Sequence, residues 1–571
     1  MRPTVTDRAR RGRFPIIGFL ATLALTVPAG AAAQGDMAHG DTLSGGWRMP
    51  PMNPAMPVLP GLGGAVPPVA AFLPGVGVDL SSLPEAQPSS VVEMADGDTL
   101  DVTISLVRRE ILGRDYAMYG YNGQYPGPLI RADRGSTFVV RVTNEIELPS
   151  TVHWHGVRID NRFDGVPGVT QDPIGTGESF TYEVRVPDAG MFWYHPHTRE
   201  DVQQDLGLYG NLLVSSPDPG YFGPAHREEV MVLDDILMDD QGMIPWGLEA
   251  PTHALMGRFG TVMLVNGLTD YRLEVRRGEV VRFYLTNVAN TRTFNLRFPG
   301  ARMKIVASDM GKFEREEWVG SVPIAPAERY VVDVRFDRAG ETTILNSIQA
   351  VDHFRGEFYP QVDTLGTVSV SEELAETMVS RGFETLRENA DVQADINGFR
   401  KHFDRPPDHE LEATLRVRNL PLSIVRTMEI DTLYVPPMEW NDAMPMMNWL
   451  STGTQVTWIL RDRATGDENG DIDWTFDVGD VVKIRIFNNP DAFHPMHHPI
   501  HVHGQRYLVL ERDGVPNPNL VWKDTAVVPV GSTVDILVEM SNPGEWMMHC
   551  HIAEHLHAGM MLSFEVRGEA N

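Results

Sequence analysis

The sequence has almost no cysteine. Its 571 residues include only Cys550, so no disulfide can form within the chain. A small scaffold held together by disulfides is therefore excluded, and the fold must be stabilised by hydrophobic cores. A single core stops growing well below this length, which predicts two to four packed domains.

Basic and aromatic residues are also scarce. Lysine and arginine number 48 against 77 aspartates and glutamates, and the formal net charge is −29. Such a charge repels polyphosphates, which excludes nucleic acid as a partner. Aromatic residues make up 8% of the chain, whereas 52 glycines and 42 prolines are spread along it. This composition is typical of a turn-rich β protein.

The N-terminal apolar run is too short to cross a membrane. Residues 14–27 are apolar, but a spanning helix needs about 20 such residues. Arginines precede this run and an alanine-rich stretch follows it, which predicts a signal peptide over residues 1–33. The protein is then periplasmic or secreted, without a membrane span. Arg10 and Arg11 leave open whether export follows the general secretory or the twin-arginine route.

One strand-like phrase occurs three times, at residues 135–144, 278–287 and 479–488. Each copy begins with glycine, ends with asparagine, and alternates β-branched or aromatic residues with polar ones. Such alternation predicts a strand with one buried face. The repeat therefore predicts three β domains.

A second phrase, at residues 188–195, 338–345 and 542–549, closes each unit and distinguishes the outer units from the middle one. Five residues after its glycine stand His195, Leu345 and His549 in turn. The middle unit keeps the strand but lacks the histidine. We therefore expect any chemistry that depends on this histidine to be confined to the first and third units.

Histidines cluster in four short motifs. These are His153-Trp-His155, His195-Pro-His197, His498-Pro-Ile-His501-Val-His503, and His549-Cys550-His551 followed by His555 and Met560. Residues two apart on a strand point the same way, so each His-x-His pair can present two rings to one metal cluster. The same alternation sends Cys550 to the opposite side, and one strand then serves two metal sites.

The ligand types favour copper over zinc. A cysteine, two histidines and a weak axial thioether form a blue-copper electron-transfer site, and Cys550, His498, His555 and Met560 supply this set. Structural zinc prefers four strong ligands, commonly paired cysteines. With one cysteine in the chain, zinc is the poorer fit.

These four motifs resemble the copper-binding signatures of the multicopper oxidase family, over about residues 90–567. The resemblance implies an all-β fold of three consecutive cupredoxin-like Greek-key domains with short helical linkers. The expected boundaries are an arm over residues 34–90, domains over 91–217, 218–372 and 411–571, and a helical linker over 373–410. The middle domain is expected to bind no copper.

The resemblance also implies four coppers. His498, Cys550 and His555 would hold the type 1 copper with Met560 axial, and His153 and His501 the type 2 copper. The two type 3 coppers would be bound by His155, His195, His197, His503, His549 and His551. His494, His497 and His557 fall off the family spacing and are interpreted as neighbours of the site.

By the same resemblance, the enzyme would take single electrons from a reducing substrate and reduce dioxygen to water. Water formation consumes protons, and Glu554 and Asp164 are the candidate catalytic residues for their delivery. Each carboxylate can equally orient an imidazole. Asp524 is expected to have a structural role. An axial thioether at Met560 predicts a lower type 1 potential than an apolar residue would give.

The reducing substrate stays open between a phenolic or aromatic donor and a cuprous-type metal ion. Met438, Met444, Met446, Met447 and Met496, with Met49, Met52 and Met56, would suit a cuprous ion, but methionine also fills core gaps. The alternative function is a periplasmic copper-binding protein without significant turnover. A two-domain copper nitrite reductase would lack the third domain and the His549-Cys550-His551 motif. The chain is expected to be a monomer.

Overall fold

A computed structural model of the chain describes residues 69–352, 356–431, 436–440 and 450–568. The predicted signal peptide, residues 34–68 of the predicted arm, and Met444, Met446 and Met447 lie outside the described residues. The regular structure is mainly β-strand, so the all-β prediction is confirmed. No helix in the described ranges is long and apolar enough to span a bilayer.

The first domain is a sandwich of two sheets. The four-stranded sheet has the spatial order Arg114–Tyr121, Thr99–Ile111, Thr137–Asn144 and Ser179–Arg185. The five-stranded sheet has the order Val91–Met94, Leu129–Asp133, Gly210–Ser215, Gly190–His195 and His153–His155. Alternate residues of both sheets, among them Ile104, Phe138 and Trp154, fill one core. A 3-10 turn, Asn161–Phe163, and the short helix Glu200–Gln203 follow the two histidine strands.

The second domain repeats this architecture. Its six-stranded sheet has the order Val262–Val265, Arg227–Ile236, Glu279–Asn287, Arg329–Phe336, Arg302–Ser308 and Gly311–Val319. Its five-stranded sheet has the order Tyr271–Arg277, Glu357–Leu374, Gly340–Asp352, Phe294–Arg297 and Val322–Ile324. The helices Thr377–Phe383 and Ala390–Asn397 and a 3-10 turn, Arg400–His402, then lead to the third domain.

The third domain carries the C-terminal histidine motifs. One sheet contains Val456–Asp462, His409–Val417, Val481–Asn488, Thr533–Glu539, Arg506–Arg512, Val515–Pro516 and Trp522–Lys523. The other has the order Trp474–Asp477, Met561–Arg567, Gly544–Cys550, His498–Val502 and Thr525–Val528. The helices are Leu422–Asp431 and Ala553–His557, with a 3-10 turn at Asn469–Asp471.

The asparagine that ends each repeated phrase makes the same contacts in all three domains. Its side-chain amide donates to two backbone carbonyls: Asn144 to Leu148 and Ile174, Asn287 to Arg292 and Ile324, and Asn488 to Met496 and Val528. The distances are 2.7–3.0 Å. The amide therefore fixes the loop after each strand. In the third domain this loop leads directly into His498.

Part of the predicted arm is attached to the domains. Strand Ala71–Phe72 pairs antiparallel with Trp246–Gly247 of a short second-domain strand. Further on, Gln87 forms a β-bridge with Gln124 of the first domain. The arm lacks hydrophobic periodicity, so its pairing depends on backbone groups that the sequence pattern does not reveal.

Candidate metal centre

Two pairs of neighbouring strands bring the histidine motifs together. In the first domain His153 lies opposite His195. In the third domain His501 lies opposite His549, and Ile500 opposite Cys550. Because neighbours across a ladder point to the same face, each pairing doubles the number of rings presented on that face.

Eight buried histidines from the first and third domains meet in one cluster. Three sets of three have their ligand atoms within 4.8 Å of one another: His153, His155 and His501; His155, His195 and His551; and His197, His503 and His549. The sets adjoin, since His155 belongs to the first two and the ring of His153 lies 4.1 Å from that of His503 in the third. Each set draws on both domains, so neither domain forms this cluster alone.

Most of these rings have one nitrogen in a hydrogen bond and the other without a partner. Nδ1 of His153 and of His195 each donates to a backbone carbonyl, at 2.7 and 2.8 Å, which leaves Nε2 unpaired. His155 is reversed, with Nε2 hydrogen-bonded and Nδ1 unpaired. Nε2 is also unpaired in His197, His501 and His551. A buried lone pair without a donor fits a metal ion, so the donor set fits copper.

A second pocket lies on the other side of the same strand. The sulfur of Cys550 is 3.5 Å from Nδ1 of His498 and 3.8 Å from Nδ1 of His555. Met560 is fully buried beside them, and its carbonyl accepts the Cys550 N–H at 3.1 Å. Thus His549 and His551 belong to the eight-histidine cluster, while Cys550 between them faces the second pocket, called the cysteine pocket below, with His498 and His555.

Burial favours the uncharged state of these ligands. It lowers the pKa of His155 well below the ordinary value and that of His197 to about 4. Rings that are neutral at pH 7 have a lone pair to offer a metal. Burial also raises the pKa of the Cys550 thiol. Its thiolate therefore needs a cation in the same pocket.

Trp458 is a neighbour of the cysteine pocket that the motifs do not reveal. Its ring stacks on His555 at 4.0 Å and meets His498 edge-on at 5.1 Å. Its indole N–H donates to the carbonyl of Ala254, at 2.6 Å. Ala254 lies in a second-domain loop whose apolar residues pack into the core of the third domain. No spacing in the sequence connects these positions.

Asp524 links two cluster histidines to the second domain. Its Oδ1 is 3.1 Å from Nε2 of His155, and its carbonyl accepts Nδ1–H of His501 at 2.9 Å. The Arg329 guanidinium pairs with both carboxylate oxygens of Asp524. Although burial raises the pKa of Asp524, Arg329 holds it well below its usual range.

The two candidate proton carriers lie in different surroundings. Asp164 touches the cluster, because its Oδ2 accepts Nδ1–H of His503 at 2.9 Å. Glu554 is fully buried and accepts hydrogen bonds from Asn290 at 3.0 Å and Thr291 at 3.2 Å, both in the second domain. Burial raises the pKa of Glu554 to about 8. Glu554 therefore carries its proton at neutral pH.

Sequence reasoning missed Glu200. Its carboxylate lies between the cluster histidine His197, at 3.1 Å, and His557, at 2.5 Å. Although burial raises the pKa of Glu200, the two rings lower it to about 2. The spacing of three residues from His197 onto a helix was a usable signal. No pattern in the sequence indicated the contact with His557, since 357 residues separate Glu200 from His557.

The other off-motif histidines also lie close to the cysteine pocket. His497 is buried next to His498, and its ring nitrogens contact Thr293 Oγ1 at 3.1 Å and the Glu439 N–H at 3.1 Å. Burial lowers the pKa of His497 to about 3. His494 is buried nearby. Neither belongs to the groups whose ligand atoms converge in the described ranges.

Comparison with known proteins gives the family. Three sequence models, all described as multicopper oxidase, match residues 103–219, 233–357 and 439–570 and together cover more than half of the chain. The chain is 26% identical over 532 residues to multicopper oxidase MmcO of Mycobacterium tuberculosis, covering 86% of this chain and 91% of the relative. It is 29% identical to laccase-5 of Trametes villosa, covering 82% and 89%.

Solved structures show the same fold. A multicopper oxidase from Pseudomonas thermotolerans matches with a TM-score of 0.59 and 25% identity, over 84% of this chain and all of the other. A Campylobacter jejuni multicopper oxidase, described as a metallo-oxidase, matches with a TM-score of 0.63 and 21% identity, over 88% and 99%. The prediction of three cupredoxin-like domains is confirmed.

The chain belongs to the multicopper oxidase family. It is a copper-dependent oxidoreductase that couples oxidation of a reducing substrate to reduction of dioxygen. The alternative of a copper-binding protein without turnover is not favoured by these relatives.

Proposed function

We propose that the chain is a four-copper oxidase with one type 1, one type 2 and two type 3 sites. The type 1 ligands are His498, Cys550 and His555, with Met560 axial; the type 2 ligands are His153 and His501; the type 3 ligands are His155, His195, His197, His503, His549 and His551. The convergence of these side chains and their unpaired ring nitrogens support this assignment.

One observation carries the proposal: three consecutive residues, His549, Cys550 and His551, face two pockets in turn. Bound copper would supply one-electron chemistry, taking single electrons from the reductant and passing four to dioxygen. Cys550 is covalently adjacent to a ligand of each type 3 position, which makes its backbone a short and rigid connection. Burial of every ligand excludes bulk water from both pockets.

Copper content and absorption spectra test the ligand assignment. Purified protein should contain about four coppers per chain, with a visible thiolate charge-transfer band and a near-ultraviolet type 3 shoulder. Cys550→Ser should abolish the visible band and the oxidase activity and keep the shoulder. His402→Ala, on the linker, should change none of these. A colourless, metal-free wild-type protein would refute the proposal.

We propose a phenolic or aromatic donor as the reducing substrate, in keeping with the laccases among the relatives. Met496 is fully buried in the core of the third domain, so it offers no thioether to an approaching metal ion. Steady-state rates with dimethoxyphenol and with cuprous ion separate the two classes. Cuprous oxidation without phenol turnover would reverse this proposal in favour of a metal substrate.

We propose that Glu554 and Asp164 deliver protons to the eight-histidine cluster. A carboxyl with a pKa of about 8 holds a proton at neutral pH and can release it near the working pH. Glu554→Gln keeps the contacts to Asn290 and Thr291 but cannot release a proton. It should slow oxygen reduction and flatten its pH profile while all four coppers remain. An unchanged pH profile would rule out the role of Glu554.

We also propose that the protein is exported after removal of residues 1–33 and acts as a monomer in the periplasm or outside the cell. The domain boundaries stay those expected from the sequence. N-terminal sequencing of the exported protein tests the cleavage before Gln34, and light scattering of the purified enzyme tests its oligomeric state.

A further inference from the structure

A cavity of about 560 Å³ lies between the first and second domains, in the size range of ligand sites. The first domain contributes the strands that contain Arg109 and Arg131, and the second contributes Asn266, Leu268 and Tyr271. None of the proposed copper ligands lines this cavity. It is therefore distinct from the metal centre.

Two of its arginines have no carboxylate partner among the described residues. Arg109 is 8% exposed, and its Nη1 is buried without a hydrogen-bond partner. Nε of Arg131 is likewise buried without a hydrogen-bond partner. A buried guanidinium left without an acceptor is costly, so an anion between these two groups would relieve the cost.

Some of the other charged residues that line the cavity form ion pairs. Arg108 pairs with Glu85 at 3.6 Å and with Asp115 at 3.8 Å. Glu229 pairs with Arg227 at 3.1 Å. Because Glu110 and Glu228 also line the cavity, its preference for a negative ligand rests on the buried donor nitrogens of Arg109 and Arg131 that lack an acceptor, and not on its net charge.

The rest of the lining favours an organic anion over an inorganic one. The Arg109 guanidinium lies over the Tyr125 ring at 3.7 Å, so its orientation is fixed while its edge can still donate. Pro126, Leu129 and Leu268 add apolar surface. A planar carboxylate matches the donor fork of a guanidinium, and an apolar or aromatic body matches the walls.

We propose that this cleft binds a small organic carboxylate, held by Arg109 and Arg131 and packed against Tyr125. The site is independent of the copper ligands. Removal of either guanidinium should cost at least about tenfold in affinity, since each would supply a charge-assisted hydrogen bond.

Calorimetric titration of the full-length holoenzyme with benzoate tests the proposal, with neutral benzamide as the matched probe. Benzoate should bind one site per chain, and benzamide should not bind. Arg131→Met and Arg109→Met should each weaken benzoate at least tenfold. Arg108→Met, next along the strand but already paired, should leave the affinity within about twofold. Copper content and visible spectrum should not change in any variant.

Arg131 is less buried than Arg109, so Arg131→Met decides the question if Arg109→Met fails to fold. Absence of saturable benzoate binding would overturn the proposal. Equal binding of benzamide would do the same, and so would an unchanged affinity in Arg131→Met, which would move the ligand to another site.

Discussion

At the scale of single residues, Trp458 and Glu200 show how groups outside the copper motifs position the ligands. The Trp458 ring stacks on His555, and its indole N–H donates to the carbonyl of Ala254 in the second domain. Glu200 fixes the Nδ1 side of His197 and leaves Nε2 pointing into the cluster. Such outer contacts set the orientation and basicity of a ligand.

Trp458→Phe tests the indole contact. The change keeps an aromatic ring near His555 but leaves the buried Ala254 carbonyl without its donor, which should cost about 2 kcal/mol in the free energy of unfolding. The type 1 potential should also shift, because the ring on His555 can move. Chemical denaturation and redox titration measure the two effects.

Trp474→Phe is the matched control, since the Trp474 indole also donates to a buried acceptor, Asp462, at 2.9 Å. It should destabilise the protein without shifting the potential. The positioning role of Trp458 fails if both variants leave the potential at the wild-type value.

Glu200→Ala should weaken copper at the His197 position by about 10–100-fold, because the ring loses the acceptor that fixes its tautomer. Copper content after dialysis against a chelator and the type 3 absorption shoulder report the loss. Glu200→Gln restores an acceptor and should keep most of the copper. A fully loaded Glu200→Ala protein would contradict this role.

At the scale of elements, the second domain positions a site to which it contributes none of the proposed ligands. Asn290 and Thr291 bind Glu554, Thr293 contacts His497, and Arg329 pairs with Asp524. All four residues lie in strands or loops that face the outer domains. The middle copy of the repeat therefore supplies hydrogen bonds and an ion pair to third-domain residues beside the site.

Arg329→Met should destabilise the protein by about 3–5 kcal/mol, because it leaves the Asp524 carboxylate buried without its countercharge. The double variant Arg329→Met with Asp524→Asn should recover part of that loss. Arg272→Met removes an exposed ion pair to Asp270 and should have no measurable effect. Equal destabilisation in the single and double variants would disprove the coupling. Denaturant unfolding measures all three.

The sequence predicts strands and ligand motifs well, because both are local patterns. The phrase ending in Asn488 predicts its strand by alternation, and His498, three residues from His501, belongs to a short motif. Arg329 and Trp458 could not be found this way. Their partners lie more than 190 residues away in the chain, and no local pattern records a contact between domains.

At the scale of the whole molecule, the buried histidines make stability depend on pH. Burial lowers the folded pKa of these rings below their unfolded value near 6.5. Their contribution is full above that value and is lost as the pH falls, because the unfolded chain binds more protons. The carboxyls whose pKa burial raises act in the opposite direction but are fewer; they include Asp234, Asp205 at about 7 and Glu554 at about 8.

The free energy of unfolding of the copper-free protein should therefore fall between about pH 6.5 and pH 4, by about 1.4 kcal/mol per pH unit for each excess proton bound on unfolding. Urea unfolding at several pH values measures the slope. His197→Gln should make the slope shallower. A copper-free protein that gains stability over the same interval would show that the carboxyls with a raised pKa dominate.

The division of the eight-histidine cluster between the first and third domains has a consequence for biosynthesis. Under the proposed assignment, the first-domain histidines, which begin at His153, form the cluster with histidines that lie up to almost 400 residues later in the chain. The cluster would therefore be complete only once the third domain has been translated and docked. A chain truncated before the third domain would lack four of the eight histidines.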